Sequence, residues 1–184
     1  MTKLVRMLSV LILTLVFQAC GSSVEYSGQP AAPTPAAKSV QCEVFDIGAS
    51  ISTMPNLDLI SSAFTLGLDS MAFAEVNEAT PFAAFVGTPA AGVTKQFAMR
   101  CKTTFKADVA GNHKFTVSSD DGAKVYINGI LTINHDGLHG TTSKNSTINL
   151  AKGSYSIQVD YFQNLGQKSL KLTVQKPAAP VQTF

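Results

Sequence analysis

The stretch "VSSDDGAKVYING", Val117 to Gly129, places two adjacent aspartates and a glycine inside a run of alternating apolar and polar residues. Alternation with a period of two predicts β-strands on both sides of Asp120, Asp121 and Gly122. Asn128-Gly129 lies between two such runs and predicts a two-residue β-hairpin turn, because both residues accept a positive φ. Two neighbouring like charges are an unusual way to end a strand, so this stretch bears on function as well as on fold.

The alternation continues outward from this stretch. Lys95 to Phe105 reads as a strand with one buried face, Ser146 to Phe162 as two strands joined in a hairpin about Lys152-Gly153, and Lys168 to Gln175 as a last strand. Asp58 to Phe73 is less periodic and is compatible with a short helix or with a turn-rich excursion. Many short strands with glycine-marked turns predict an all-β fold, an antiparallel β-sandwich.

The N-terminus has the features of a secretory signal. Lys3 and Arg6 precede an apolar run from Met7 to Phe17 that is too short to cross a bilayer. We therefore expect residues 1–19 to be a signal peptide.

A cysteine follows this segment directly. Cys20 after Ala19 resembles the lipobox of bacterial lipoproteins, which implies that Cys20 is acylated and anchors the chain to a membrane. Residues 20–39 are rich in Ser, Gly, Ala and Pro and are expected to form a flexible linker. Gly21 stands where an aspartate retains enteric lipoproteins in the inner membrane, so we expect a cell-envelope location at the outer membrane.

Composition and charge indicate the domain bounds and the kinds of partner. Residues 40–176 are expected to form one domain, and residues 177–184 a C-terminal tail, because that tail repeats the linker composition. The signal contains two of the 14 Lys and Arg residues and none of the 12 Asp and Glu residues, so the exported chain is formally neutral. Without clustered basic residues we expect no nucleic-acid partner.

Cysteine usage predicts one disulfide. Once Cys20 is assigned to lipid, Cys42 and Cys101 remain in an exported chain, and an even remainder in an oxidising compartment indicates a bridge between them. Such a bridge closes a loop of about 60 residues and is worth about 4 kcal/mol on the chain-entropy model.

The order of these motifs resembles a known family. The strand with its aspartate pair, the Asn-Gly hairpin, the run "INLAKGSYSIQVDYF" and the final strand are similar to the β-sandwich domain named after the N-terminal fragment of anthrax protective antigen, related to yeast flocculin and adhesin lectin domains. The resemblance extends from about Phe97 to Val174. The matching residues are Gly111, Phe115, Val117, Ser119, Asp120, Asp121, Gly122, Val125, Tyr126, Ile127, Gly129, Ile148, Leu150, Gly153, Tyr155, Ile157, Val159, Tyr161 and Phe162.

The resemblance implies a calcium-dependent glycan site. In the lectin branch of the family the paired aspartates, joined by a cis peptide, bind calcium that holds sugar hydroxyls; here these would be Asp120 and Asp121. Asn164 is the candidate third side-chain ligand, with Gln163 as the alternative register. The backbone carbonyls of Leu165 and Gln167 are candidate further ligands, which suits the preference of calcium for oxygen. The adhesin loop carries a tryptophan that this chain lacks.

Other interpretations of the same residues stay open. Asp120-Asp121-Gly122 can be a turn in a structural or assembly lipoprotein that binds another envelope or surface protein, without sugar or metal. His135, Asp136 and His139 suggest a zinc site, but with no helix to stack the two histidines we expect an ordinary surface loop. No catalytic motif is found, and neighbouring carboxylates are poorly placed for glycoside hydrolysis, so we expect a binding module and not an enzyme.

Overall fold

The computed structural model describes residues 38–87, 93 and 95–184, so the predicted signal and Cys20 lie outside the described residues. Antiparallel β-strands dominate this part of the chain. The strands are β1 (Val40–Asp46), β2 (Phe64–Leu68), β3 (Ala72–Val76), β4 (Phe97–Ala107), β5 (Gly111–Asp120), β6 (Ala123–Ile127), β7 (Ile130–His135), β8 (Thr142–Leu150), β9 (Gly153–Gln163), β10 (Lys168–Gln175) and β11 (Val181–Thr183), with a 3-10 turn at Leu57–Leu59 and a short helix α1 at Phe82–Val86. Within the described residues, no helix combines the length and apolar character needed to cross a membrane.

The strands form two sheets. The first has the order β2-β1-β4-β9-β6-β7, and the second the order β11-β10-β5-β8, with β3 also paired to β10. The apolar faces of both sheets pack against each other around a core that includes Phe115 and Leu172 from the second sheet and Met99, Val159 and Tyr161 from the first. Each fully buried side chain of this size contributes about 1.5–3 kcal/mol. The predicted antiparallel β-sandwich is confirmed.

The Cys42–Cys101 disulfide is present. Cys42 in β1 faces Cys101 in β4 directly, with a Cα–Cα distance of 4.0 Å and an S–S bond of 2.02 Å. Both residues are buried. The bridge therefore ties the first strand of the domain to the centre of the first sheet.

Two predictions about the connections need correction. The turn at Lys152-Gly153 does not form a hairpin, because β8 pairs with β5 in the second sheet whereas β9 pairs with β4 and β6 in the first. The turn thus carries the chain from one sheet to the other.

Asp58 to Phe73 forms no α-helix; it contains the end of the 3-10 turn, strand β2 and the start of β3. Neither alternative describes the segment, because β2 pairs with β1 in the first sheet and β3 pairs with β10 in the second. The Asn128-Gly129 hairpin is confirmed, with φ of 48° and 78° at the two turn residues.

The prediction that the domain ends at residue 176 is wrong. Strand β11 pairs with β10, and the backbone nitrogen of Phe184 donates a hydrogen bond to the Leu172 carbonyl at 3.1 Å. The Phe184 ring lies 5.7 Å from the ring of Phe105 and 6.2 Å from that of Phe115. The last residues therefore belong to the sandwich. Their composition resembles a linker, but Phe184 makes an aromatic contact with the core.

Candidate functional site

Three loops meet at one end of the sandwich, which we call the aspartate end. They are Asp120–Gly122 between β5 and β6, residues 136–141 between β7 and β8, and residues 164–167 between β9 and β10. Strand register brings them together, because Asp120 pairs with Ser169 and Ser119 pairs with Thr142. Residues that are distant in sequence therefore share one surface.

The aspartate pair lies where the chain passes from the second sheet to the first. The peptide bond between Asp120 and Asp121 is cis, and each residue is only 5% exposed. Gly122 follows because no side chain fits there: a Cβ would collide with the Phe162 ring and lie 2.9 Å from the Gly137 nitrogen. The "DDG" sequence is thus a tightly packed crossing between sheets.

Asp121 connects the other two loops. Its Oδ1 accepts a hydrogen bond from the backbone nitrogen of His139 at 3.3 Å, and its Oδ2 accepts one from the backbone nitrogen of Asn164 at 2.9 Å. The carbonyl oxygen of Asp120 accepts a hydrogen bond from the Tyr161 hydroxyl at 2.6 Å. These contacts from β9 and from the two neighbouring loops hold the pair in place.

Electrostatics set the two carboxyl groups apart from ordinary surface acids. Burial, followed by the charges of Asp121 and Glu75, raises the pKa of Asp120 to about 6. Burial also raises the pKa of Asp121, although the N–H groups of Asn164 and His139 oppose that shift. Within the part of the chain that the structure describes, neither carboxylate forms a salt bridge. Two buried acids without a counter-charge favour a bound cation or a proton.

The predicted third ligand lies beside the pair. Asn164 contacts Asp121 through its backbone, and its side-chain Oδ1 accepts a hydrogen bond from the Ile51 nitrogen at 3.1 Å. That oxygen keeps a second lone pair for a cation. Across residues 38–87, 93 and 95–184, no group of three or more His, Cys, Asp or Glu side chains is arranged to hold a metal. A metal at this end would therefore depend on amide and carbonyl oxygens besides the two carboxylates.

Gln163 organises the loop from inside. It is 2% exposed, and its Oε1 accepts a hydrogen bond from the Tyr161 hydroxyl at 2.9 Å. Its Nε2 donates to the carbonyl oxygens of Leu165 at 3.2 Å and Gln167 at 2.9 Å. These two carbonyls converge on the Gln163 amide, while the Leu165 side chain is 48% exposed at the surface.

A fourth segment, residues 47–56, belongs to the site and has no signal in the sequence. Besides the Ile51 contact, the Met54 nitrogen donates to Asp136 Oδ1 at 2.7 Å, and Asp136 Oδ2 forms an ion pair with Lys124 at 2.9 Å. Asp136 therefore fixes this segment against the β7–β8 loop. No local pattern predicts a contact between residues so distant in the chain.

The two histidines of the β7–β8 region differ from expectation in one respect. Their rings stack with centroids 4.1 Å apart, although no helix aligns them. His139 Nδ1 lies 3.0 Å from the Gly140 carbonyl oxygen, and His135 Nε2 lies 3.3 Å from that of Thr142. Burial and His139 lower the pKa of His135. His139 Nε2 lies 3.2 Å from the His135 carbonyl oxygen, so both ring nitrogens of His139 and Nε2 of His135 contact nearby backbone carbonyls.

Known proteins of similar fold share this architecture. A PA14 sugar-binding domain from an RTX adhesin matches with a TM-score of 0.67 and 16% identity over 81% of this chain and 96% of its own. The PA14 domain of the MpAFP antifreeze protein matches with a TM-score of 0.69 and 14% identity over 85% of this chain and 92% of its own.

A more distant structure is the A domain of epithelial adhesin 6 from Candida glabrata in complex with Galβ1-3GlcNAc. Its TM-score is 0.53 at 17% identity, over 82% of this chain and 84% of its own. No curated protein matches the sequence. The family model described as the PA14 domain matches residues 71–181. The chain belongs to the PA14 domain family.

Proposed function

We propose that this protein is a lipid-anchored binding module of the bacterial cell envelope that binds carbohydrate through calcium at the aspartate end. The observation that carries the proposal is the pair of buried carboxylates, Asp120 and Asp121. Burial raises the pKa of both groups because it disfavours their charged forms, and a bound cation would stabilise those charged forms. Anchoring through acylated Cys20 and an outer-membrane location rest on the N-terminal sequence alone.

The donor atoms at the aspartate end are of the type that calcium prefers. The carboxylates of Asp120 and Asp121, Oδ1 of Asn164, and the carbonyl oxygens of Leu165 and Gln167 are all hard oxygen donors. Calcium bound there supplies positive charge and open coordination positions that neighbouring hydroxyl groups of a sugar can fill. With only two carboxylates, we expect a dissociation constant typical of extracellular modules, about 10⁻⁴ to 10⁻³ M.

Carbohydrate is the ligand class that the related structures support. One neighbour is described as a sugar-binding domain and another is in complex with Galβ1-3GlcNAc. In this chain the exposed Leu165 side chain lies on the loop beside the pair and offers an apolar contact to a sugar ring. An aliphatic side chain lacks the stacking surface of an aromatic ring, so we expect weak binding.

The proposal assigns binding and no catalysis to the pair. Glycoside hydrolysis needs two carboxyl groups facing each other about 5 to 9.5 Å apart across the scissile bond. Asp120 and Asp121 are neighbours in the chain, and the two oxygens of the Asp121 carboxylate each accept a hydrogen bond from a backbone nitrogen of a surrounding loop. Their arrangement suits a ligand that is held and released unchanged.

One observation favours a second candidate function. Both oxygens of Asp121 accept backbone hydrogen bonds, so the pair has a structural task even without a metal. In that case the domain is a structural or assembly lipoprotein that contacts another envelope protein, and the aspartates only shape the loops.

Thermal unfolding separates the two candidates. The wild-type chain and the Asp120→Ala/Asp121→Ala variant are compared in calcium, in magnesium and in chelator, with Asp108→Asn as a control at an exposed carboxylate far from the site. Calcium at ten times its dissociation constant stabilises the native state by about 1.4 kcal/mol. We expect that gain for the wild type and the control only. A glycan array with and without chelator then tests the sugar.

A further inference from the structure

The end of the sandwich opposite the aspartate pair, which we call the hairpin end, is formed by the turns at 108–110, 128–129 and 151–152 and by the start of β1. Strand register places these turns together. Ala107 pairs with Gly153 and Gly111 with Leu150, while the Asn128 nitrogen donates to the Ser156 carbonyl at 2.9 Å. The described chain also enters the domain here, because β1 runs from this end towards the aspartate end.

Large apolar side chains are exposed at the hairpin end. Ile130 is 70% exposed, Val109 49% and Leu131 45%. Ile130 and Leu131 border a groove of about 400 Å³ between β7 and β8, which Leu150 and Tyr155 also line. An apolar groove bordered by exposed apolar side chains such as Ile130 and Leu131 marks a place where a soluble domain meets a partner or a lipid surface.

Charge is distributed unequally between the two ends. Lys152 lies at the turn beside the groove and makes no ion pair within the described part of the chain. The basic residues at the hairpin end are Lys38, Lys106, Lys152 and Lys176, against Asp69 and Asp108. At the aspartate end, Glu75, Glu78 and Asp136 add their charges to those of the buried pair, against the three lysines Lys95, Lys124 and Lys168. An anionic surface therefore attracts the hairpin end and repels the aspartate end.

We propose that the hairpin end docks on an anionic lipid bilayer, with Ile130 and Leu131 at the boundary between headgroups and acyl chains and the lysines among the phosphates. The proposal depends on the proposed lipid anchor only because the anchor keeps the domain close to the membrane. About 18 residues separate Cys20 from Lys38, and a chain of that length spans at most about 60 Å. Docking in this way directs the aspartate end away from the membrane, towards soluble or surface-bound glycans.

Single-tryptophan reporters test the orientation, because the chain contains no tryptophan of its own. Ile130→Trp reports on the hairpin end and Leu165→Trp is the matched reporter at the aspartate end; both positions are exposed. The full acylated chain is reconstituted in phosphatidylcholine vesicles with and without phosphatidylglycerol. We expect the I130W emission to shift to shorter wavelength and to be quenched by brominated acyl chains, while L165W stays solvent-like. Phosphatidylcholine alone, high salt or Lys106→Glu/Lys152→Glu should reduce the I130W effect.

The proposal is overturned if the I130W emission stays solvent-like in the presence of anionic vesicles, or if brominated acyl chains quench both reporters equally. A shift of I130W that appears without vesicles and grows with protein concentration also overturns it, and shows that a second copy covers the groove. A failure of the lipid anchor is distinguished from a failure of docking by whether the protein remains bound to the vesicles. If the anchor fails, the chain does not remain with them. That chain is then added to anionic vesicles from solution, where the I130W shift supports docking and its absence contradicts it.

Discussion

The Oδ2 atom of Asp121 accepts a hydrogen bond from the backbone nitrogen of Asn164 at 2.9 Å and so joins the sheet crossing at "DDG" to the loop after β9. Oδ1 of the same carboxylate accepts the His139 nitrogen on the third loop. One buried side chain thus determines the spacing of all three loops at the aspartate end. The proposed calcium site depends on that spacing.

Asp121→Asn should destabilise the fold even without calcium. The amide replaces one acceptor oxygen by a donor, so one of the two backbone N–H groups loses its partner. Leaving a buried polar group unsatisfied costs about 1–3 kcal/mol. Urea unfolding in chelator measures the loss. Asp108→Asn, which removes only ion pairs of an exposed carboxylate, should cost much less; equal losses for the two variants would contradict the structural role of Asp121.

The raised pKa of Asp120 predicts a pH-dependent stability in chelator. The folded state holds the Asp120 proton more tightly than the unfolded state, since the pKa rises from 3.8 to about 6. The resulting stabilisation is complete below the unfolded value and is lost as pH rises through about 6. Asp120→Asn has no such proton, so at pH 7 it should be more stable than the wild type by about 1 to 3 kcal/mol.

That difference should disappear near pH 4, where the wild-type carboxyl group is protonated in the folded protein. Urea unfolding of both proteins from pH 4 to 8 measures it. A difference that does not change with pH would show that burial leaves this carboxyl group unperturbed.

The disulfide should account for a large part of the stability of the domain. Cys42 and Cys101 are 59 residues apart in sequence, and closing such a loop is worth about 4 kcal/mol on the chain-entropy model. We expect Cys42→Ala/Cys101→Ala to lower the free energy of unfolding by that order. Reductant should lower the melting temperature of the wild type and leave that of the variant unchanged; a wild type that melts alike with and without reductant would rule this out.

The C-terminal residues should behave as part of the core. Phe184→Ala removes ring contacts with Phe105 and Phe115. Because Phe184 is only partly buried, we expect a loss of about 2 kcal/mol, less than the 3–5 kcal/mol of a fully buried phenylalanine. Gln182→Ala, at an exposed position of the preceding strand β11, is the control. If both variants unfold like the wild type, residues 177–184 are a tail after all.

Local chemistry explains which features could be predicted from the sequence. The Asn128-Gly129 hairpin and the strand ending at Asp120 depend on φ preferences and on a period of two, which neighbouring residues determine. The difference between a hairpin and a crossing at Lys152-Gly153 depends on which sheet each strand joins, and a glycine turn looks the same in both cases. The packing of Phe184, the Ile51–Asn164 contact and the burial of Gln163 depend on partners brought close only by the completed sandwich.

Isothermal titration of calcium into the metal-free protein, compared with the Asp120→Ala/Asp121→Ala variant, tests the central claim most directly. The proposed site predicts saturable binding of about one calcium ion per wild-type chain with a dissociation constant of about 10⁻⁴ to 10⁻³ M, and no binding to the variant. Circular dichroism confirms that the variant is folded, and Asp121→Asn repeats the comparison if it is not. A wild-type chain that binds no calcium, or a folded variant that binds it equally well, would contradict the claim.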